Sequence, residues 1–413
     1  MLTVENSTQS PFVGHSRPQY LHLHLLGHPS AMHACFTFGR CPRSRSILFL
    51  LGVGLALGTL LSGCATPAKR LSRTPEQVHA QLMHLLPARV VDRDAWASAV
   101  TDAMFALQIE PTPAHLCATL AVAEQESGFA IDPPVAGLGR IALAEIERRA
   151  DAHHIPRFML RAALAISSAD GRSYAERIAG AHTERELSLV YEDLIARVPL
   201  GRRLFADSNP VRTGGPMQVS VDFAQHYART HPYPYPLLPD DSIRHEVFSL
   251  RGGVYFGVAH LLEHQVSYDR MIYRFADFNA GFYASRNAAF QNAVAIASGI
   301  ALTLDGDLVD YNGGVGETEL ALRSMIRSLD LSDRQLRRAL DASETIEFEK
   351  TPLYDRVYAL AQARQHAALP RALVPHIDLS SPKITRKLTT AWFAERVEQR
   401  YRTCLKRAAG DTT

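Results

Sequence analysis

Apolar residues recur every three or four positions along much of the chain. Trp96, Val100, Met104 and Leu107 form one such stripe, and Leu187, Val190, Leu194 and Val198 form another. That spacing predicts amphipathic helices. Helix-start signals accompany it. Thr74-Pro75-Glu76-Gln77 offers a capping Thr, a Pro at the first helical position and a Gln where a capping box requires one. Thr112-Pro113, Thr183-Glu184-Arg185-Glu186, Thr351-Pro352 and Ser381-Pro382 repeat the logic. No succession of segments alternates apolar and polar residues as strands do, so the pattern predicts a mainly α protein. One stretch breaks it: His231-Pro232-Tyr233-Pro234-Tyr235-Pro236, followed by Pro239, is too rich in proline for a helix and predicts an extended surface loop.

A different pattern marks the N-terminal part. Arg40, Arg43 and Arg45 precede an unbroken apolar run over residues 47–61, and Leu61-Ser62-Gly63-Cys64 follows. A basic region, a short apolar region and small residues before a cleavage point describe a signal peptide. The run is shorter than the roughly 20 residues a transmembrane helix needs. The Leu-Ser-Gly-Cys end resembles a bacterial lipobox, which implies cleavage before Cys64, its lipidation, and attachment to a membrane facing the periplasm. Ala65 in place of an Asp implies the outer membrane. Residues 1–40 are long for a signal's basic region, and Met32 is an alternative start. Residues 65–73 carry Pro, Lys and Arg without apolar periodicity and read as a tether, at most about 30 Å when extended.

The 413-residue chain is 46% hydrophobic with a formal net charge of +2. This suits one large domain or two modest ones and gives no basic stripe, so a nucleic-acid partner is not expected. Processing at Cys64 would remove Cys35 and Cys41 and leave Cys117 and Cys404. These two either pair in an oxidising compartment or remain buried thiols.

The chemistry-bearing candidate closes an apolar helix predicted over residues 116–126. There Glu124-Gln125-Glu126-Ser127-Gly128-Phe129 places a helix-stopping Gly just after Glu126. A carboxyl in the last turn meets the negative end of the helix dipole, and Phe129 would desolvate it. Both effects favour the protonated form that a general acid needs. Glu124 falls on a different face and is expected to be an ordinary solvated acid. Asp305-Gly306-Asp307 with Asp310 hints at calcium but lacks the loop and closing Glu of an EF-hand, so it reads as a turn. No metal or cofactor is expected.

Glu126-Ser127-Gly128-Phe129 resembles the Glu-Ser-x-Phe motif of the soluble lytic transglycosylases, relatives of goose-type lysozyme. Gly215-Pro216-Met217-Gln218-Val219-Ser220 resembles their Gly-Leu-Met-Gln segment, and Asp277-Phe278-Asn279-Ala280-Gly281 their Ala-Tyr-Asn-Ala-Gly segment. Between these, Leu250-Arg251-Gly252-Gly253-Val254-Tyr255-Phe256-Gly257 is similar to their Gly- and Tyr-bearing helix. The chain is also similar to a proteobacterial lipoprotein family known only as a domain of unknown function. The transglycosylase resemblance implies a lysozyme-like helical core with a helical insertion and a C-terminal helical extension. The expected boundaries are 1–63 (signal), 64–73 (lipidated Cys and tether), 74–137 and 209–300 (two parts of the core), 138–208 (insertion) and 301–413 (extension).

The resemblance also implies a reaction. Glu126 would act as sole acid and base on peptidoglycan strands, giving anhydro sugar ends, with Ser127, Met217, Gln218, Phe278 and Asn279 contacting the glycan. Tyr233 and Tyr235 either stack on sugars or belong to an exposed loop. The alternatives are a hydrolytic muramidase and a non-catalytic wall-binding lipoprotein. Phe278 favours the last, because it stands where the motif carries Tyr and removes a hydroxyl near the carboxyl. Asp277 stands where Ala is usual and is expected to be structural.

Overall fold

The computed structural model describes residues 71–197, 209–239, 241–310, 314–379 and 388–410. Cys64, the apolar run before it, Val198 and the Ser381-Pro382 signal lie outside the described residues. The described chain is mainly helical. Helices α1 (Pro75–Leu85), α2 (Arg93–Ala106) and α3 (Pro113–Ser127) come first, then α4 (Leu138–Ala152), α5 (Arg157–Leu164), α6 (Tyr174–Ala179) and α7 (Glu184–Arg197). A small hairpin, β1 (Thr213–Gly214) and β2 (Val219–Ser220), pairs antiparallel with Thr213 opposite Ser220. Next are α8 (Val221–Thr230), α9 (Ile243–Val247) and α10 (Leu250–Val258), which runs on into a π-helical turn, Ala259–Glu263. After these come α11 (Met271–Ala280), α12 (Ala284–Ser298), α13 (Glu317–Ser324), α14 (Ile326–Leu329), α15 (Asp333–Asp341) and α16 (Pro352–Gln365). The antiparallel pair β3 (Asp378–Leu379) and β4 (Leu388–Thr389) leads into the long α17 (Thr390–Ala408).

The helix starts follow the local chemistry. Thr74 and Gln77 form a complete capping box at α1, and Thr112, Thr351 and Thr389 cap α3, α16 and α17. Helix α2 differs: its cap is Asp92 in a left-handed conformation with no side-chain cap bond. Its anchorage comes instead from the burial of Trp96, Val100 and Met104, the stripe read from sequence.

Among the described residues, three apolar cores organise the fold. In the first, α2, α3, α10, α11 and α17 bury Trp96, Leu116, Phe256, Phe275, Phe278 and Phe393. Cys117 of α3 and Cys404 of α17 form a disulfide across 287 positions, with Cα atoms 5.5 Å apart. The paired alternative is therefore the one realised, and the C-terminal helix is stapled to the helix that carries Glu126. A second core gathers α12 to α16 around Phe290, Leu322, Leu336, Phe348 and Tyr358. The third belongs to residues 135–195, where Leu138, Leu164, Tyr174, Ile178 and Val190 pack together and meet Val211 and Phe248.

Candidate functional site

Helix α3 is buried nearly all round, which places it centrally in the first core. It stops at Gly128, whose φ of 60° is left-handed and whose N–H donates to the Glu124 carbonyl. Phe129 is left-handed as well, at φ 69°, so two successive residues reverse the chain. The reversal brings the Phe129 carbonyl to the Trp96 indole N–H at 3.2 Å and sets the two rings edge to face. Glu126 thus lies in the last turn of a helix whose end is pinned by a buried Trp, and it is only 2% exposed.

Its neighbours in sequence have definite contacts. Ser127 donates its hydroxyl back to the Ala123 carbonyl at 3.0 Å. Glu124 is not the solvated acid expected from its helix face. It is partly buried, because α17 packs along this side of α3 and brings Arg400 near, and it also pairs with Arg89.

The second motif segment forms the β1–β2 hairpin. Met217 is fully buried against Gly257 of α10, where an added Cβ would come within 2.4 Å of the Met217 sulfur. Gln218 has a left-handed φ of 51° and is buried. Its Nε2 donates to Oε2 of Glu184 at 3.1 Å. Glu184 is itself buried and belongs to α7, so the segment that α7 closes reaches this turn directly. The Asp132 carboxylate and the Thr183 hydroxyl hydrogen-bond at 2.9 Å, which ties the segment after Glu126 to the start of α7.

The third segment lies on α11. Phe278 is buried, and its ring sits 4.9 Å from that of His260. Asn279 accepts a hydrogen bond from the Thr390 hydroxyl at 3.1 Å. Asp277 is wholly buried, accepts from the Tyr268 hydroxyl, and accepts from the Ser285 N–H at 2.7 Å. It ties α11 to α12, the structural role expected of it, and burial raises its carboxyl to about 6. One apolar core contains Phe129, Met217 and Phe278, so the three motif segments converge there.

Two participants were not visible in the sequence. Glu184 reads locally as a first-turn acid, and only tertiary contact brings it to Gln218. His260 sits in the π-helical turn with its ring among Phe223, Phe278 and Phe282, at 4.7, 4.9 and 4.7 Å. Loss of hydration lowers its imidazole to about 4. The extra residue of a π turn has no sequence signature that could have signalled it, although such turns recur at functional sites.

Other candidates resolve differently. Tyr233 stacks on Phe256 and donates its hydroxyl to Glu246, while Tyr235 lies under Arg251, 4.9 Å from ring centre to guanidinium. Both rings turn toward the first core, leaving the prolines and the loop backbone outside. At residues 305–307, Gln291 bonds the Asp305 carboxylate and the Gly306 N–H, each at 2.8 Å, which makes the segment a built turn. Among the described residues no group of three or more His, Cys, Asp and Glu could hold a metal, and no helix is long and apolar enough to cross a membrane.

A family model described as protein of unknown function, DUF1615, matches residues 89–407. The chain belongs to DUF1615. It is 48% identical over 361 residues to "Uncharacterized protein YaiW" of Escherichia coli (strain K12), covering 86% of this chain and 98% of that protein. No solved structure matches. Membership in DUF1615 corrects the resemblance to soluble lytic transglycosylases, which no family match supports. The physical reason is plain in the geometry. In this DUF1615 protein the short segments that carried the resemblance encode packing: a left-handed helix stop at Gly128, a close approach at Gly257 and a buried cap at Asp277.

Proposed function

We propose that this DUF1615 protein is an envelope enzyme that cleaves peptidoglycan glycan strands, with Glu126 as acid and base. The observation that carries the reading is the burial of the Glu126 carboxyl at the C-terminal end of α3. A carboxyl withdrawn from water at the end of a helix is the kind of setting in which glycosidic general acids are found. In the proposed reaction the Glu126 proton passes to the bridging glycosidic oxygen as the bond from the muramic-acid anomeric carbon to that oxygen breaks. The sugar's own 6-hydroxyl oxygen then bonds to that carbon, and its proton returns to the Glu126 carboxylate. Gln218, held by Glu184, is the polar group from the second motif segment that would orient the substrate. The lipobox reading places the enzyme on a membrane through Cys64.

The test is digestion of purified peptidoglycan followed by mass spectrometry of the products. Wild type is expected to release anhydro-ended muropeptides. Glu126→Gln is expected to lose at least about 10²–10⁴-fold, the range for removing general acid–base catalysis. Reducing ends in place of anhydro ends would make the enzyme a hydrolytic muramidase.

A second reading has its own observation. Ser127, Met217 and Phe278, three of the five residues expected to touch sugar, are engaged with protein atoms or buried in the core. That counts against turnover at these residues and leaves a lipoprotein that binds the wall through other surfaces as the second reading. Retention on sacculi with no released product would establish it and remove the enzyme proposal.

A further inference from the structure

The distribution of exposed apolar side chains is uneven. Of the large apolar residues left in solvent, Ile155, Phe158, Met159 and Ile166 fall within one short segment, at 44, 72, 53 and 46% exposure. Among the described residues, the remainder are scattered singly or, like Leu237 and Leu238, sit in the proline loop. Helix α5 is the centre of this segment. Its inward residues Leu160 and Leu164 seat it on the third core, while Phe158 and Met159 face away. A helix apolar on two faces has one face still to cover.

The same segment is cationic. Residues 148–172 contain Arg148, Arg149, Arg157, Arg161 and Arg172 against Asp151 and Asp170. Glu145, just before them, takes Arg148 and Arg149; Asp151 takes Arg157, and Asp170 takes Arg172. With Glu147, which also faces Arg157, residues 145–172 hold five arginines against four carboxylates, and Arg157 and Arg161 flank Phe158 and Met159 on α5 itself. A helix of eight residues is about 12 Å long and about 10 Å across. Its face is far smaller than the roughly 800 Å² per partner of a stable protein interface. Bare aromatic and aliphatic side chains interleaved with arginine suit a lipid headgroup boundary, where the apolar groups enter and the guanidinium groups meet phosphate.

We propose that the α5 end of residues 138–208 lies on an anionic phospholipid surface, with Ile155, Phe158, Met159 and Ile166 at the headgroup–acyl boundary. This holds whether or not Glu126 is catalytic. It complements attachment through Cys64 without requiring it, since the contact is made by α5 itself.

The test uses the full chain reconstituted into phosphatidylethanolamine–phosphatidylglycerol vesicles whose acyl chains are brominated near the headgroup. A Phe158→Trp variant places a reporter on the patch, and Leu238→Trp, on the proline loop, is the control. Both sites are exposed, so folding should be kept, as circular dichroism checks. The expected result is a blue shift and strong quenching at position 158 and neither at 238. Adding Arg157→Glu and Arg161→Glu, or raising salt, should reduce the quenching at 158. No quenching at 158, or equal quenching at 158 and 238, would overturn the proposal. A blue shift at 158 that depends on protein concentration and not on lipid would overturn it in favour of a second copy of the chain. Sedimentation of the same samples with vesicles separates the two attachments. A protein that sediments but shows no quenching at 158 is held by its anchor alone.

Discussion

His260 and Asp277 should impose opposing pH dependences on stability. The folded protein holds His260 at about 4, against about 6.5 for an ordinary imidazole, because its ring is packed among Phe223, Phe278 and Phe282. Between pH 6.5 and 4 the unfolded chain therefore binds a proton that the fold refuses. Stability falls on acidification with a slope approaching 1.4 kcal/mol per pH unit, roughly 3 kcal/mol across the window. Asp277 works the other way. Burial lifts its carboxyl from 3.8 to about 6, so the fold binds that proton more tightly than the unfolded chain does. This group alone makes stability rise as pH falls from 6 toward 3.8, by roughly 3 kcal/mol. Over pH 6 to 4 the two nearly cancel, while His264, whose imidazole is also lowered by burial, tips the balance toward acid loss.

Single substitutions should expose each side. His260→Phe keeps a ring among the aromatics but removes the titration, and should gain up to about 3 kcal/mol relative to wild type between pH 7 and pH 4.5. Asp277→Asn keeps an acceptor for the Ser285 N–H and should lose a similar amount over the same interval. Urea unfolding at the two pH values gives both differences. Parallel pH profiles for wild type and His260→Phe would refute the argument, because they would mean that the ring is hydrated in the folded state.

The remaining predictions concern the framework and the anchor. Thiol labelling of the unfolded, unreduced protein should find Cys117 and Cys404 blocked, and replacing both with Ser should cost about 3–5 kcal/mol given the long loop they close. Gly257→Ala should destabilise by about 1–3 kcal/mol, read as a lowered Tm, because the new methyl meets Met217. Wild type should fractionate with membranes and Cys64→Ser should accumulate as an unprocessed precursor; soluble wild type would remove the lipobox reading.

Much of the fold was legible because helix starts and stops are local events. The caps at Thr74 and Thr112 and the stop at Gly128 require only a few adjacent residues, and each is realised as read. The start of α2 was not legible, because tertiary burial of Trp96 substitutes for a side-chain cap at Asp92. Glu124 was misread for a related reason. Helix periodicity places it on another face from Glu126, but nothing local says that α17, far away in sequence, will cover that face.

The candidate site was legible only where chemistry and packing make different demands. Gly128, Met217, Gly257 and Asp277 all stand in motif-like positions, yet each has a sufficient packing role, so their pattern cannot separate an enzyme from a scaffold of similar build. A buried carboxyl is another matter. Packing does not call for one, and withdrawing it from water costs free energy unless something offsets that cost. For Asp277 the offset is visible in Tyr268 and Ser285. For Glu184, a residue that no motif contains, it includes Gln218, a contact made across 34 positions. Glu126 is buried as well, and the proposed chemistry would give that burial a use. A Glu126→Gln protein equal to wild type in wall cleavage would leave it as one more buried polar group.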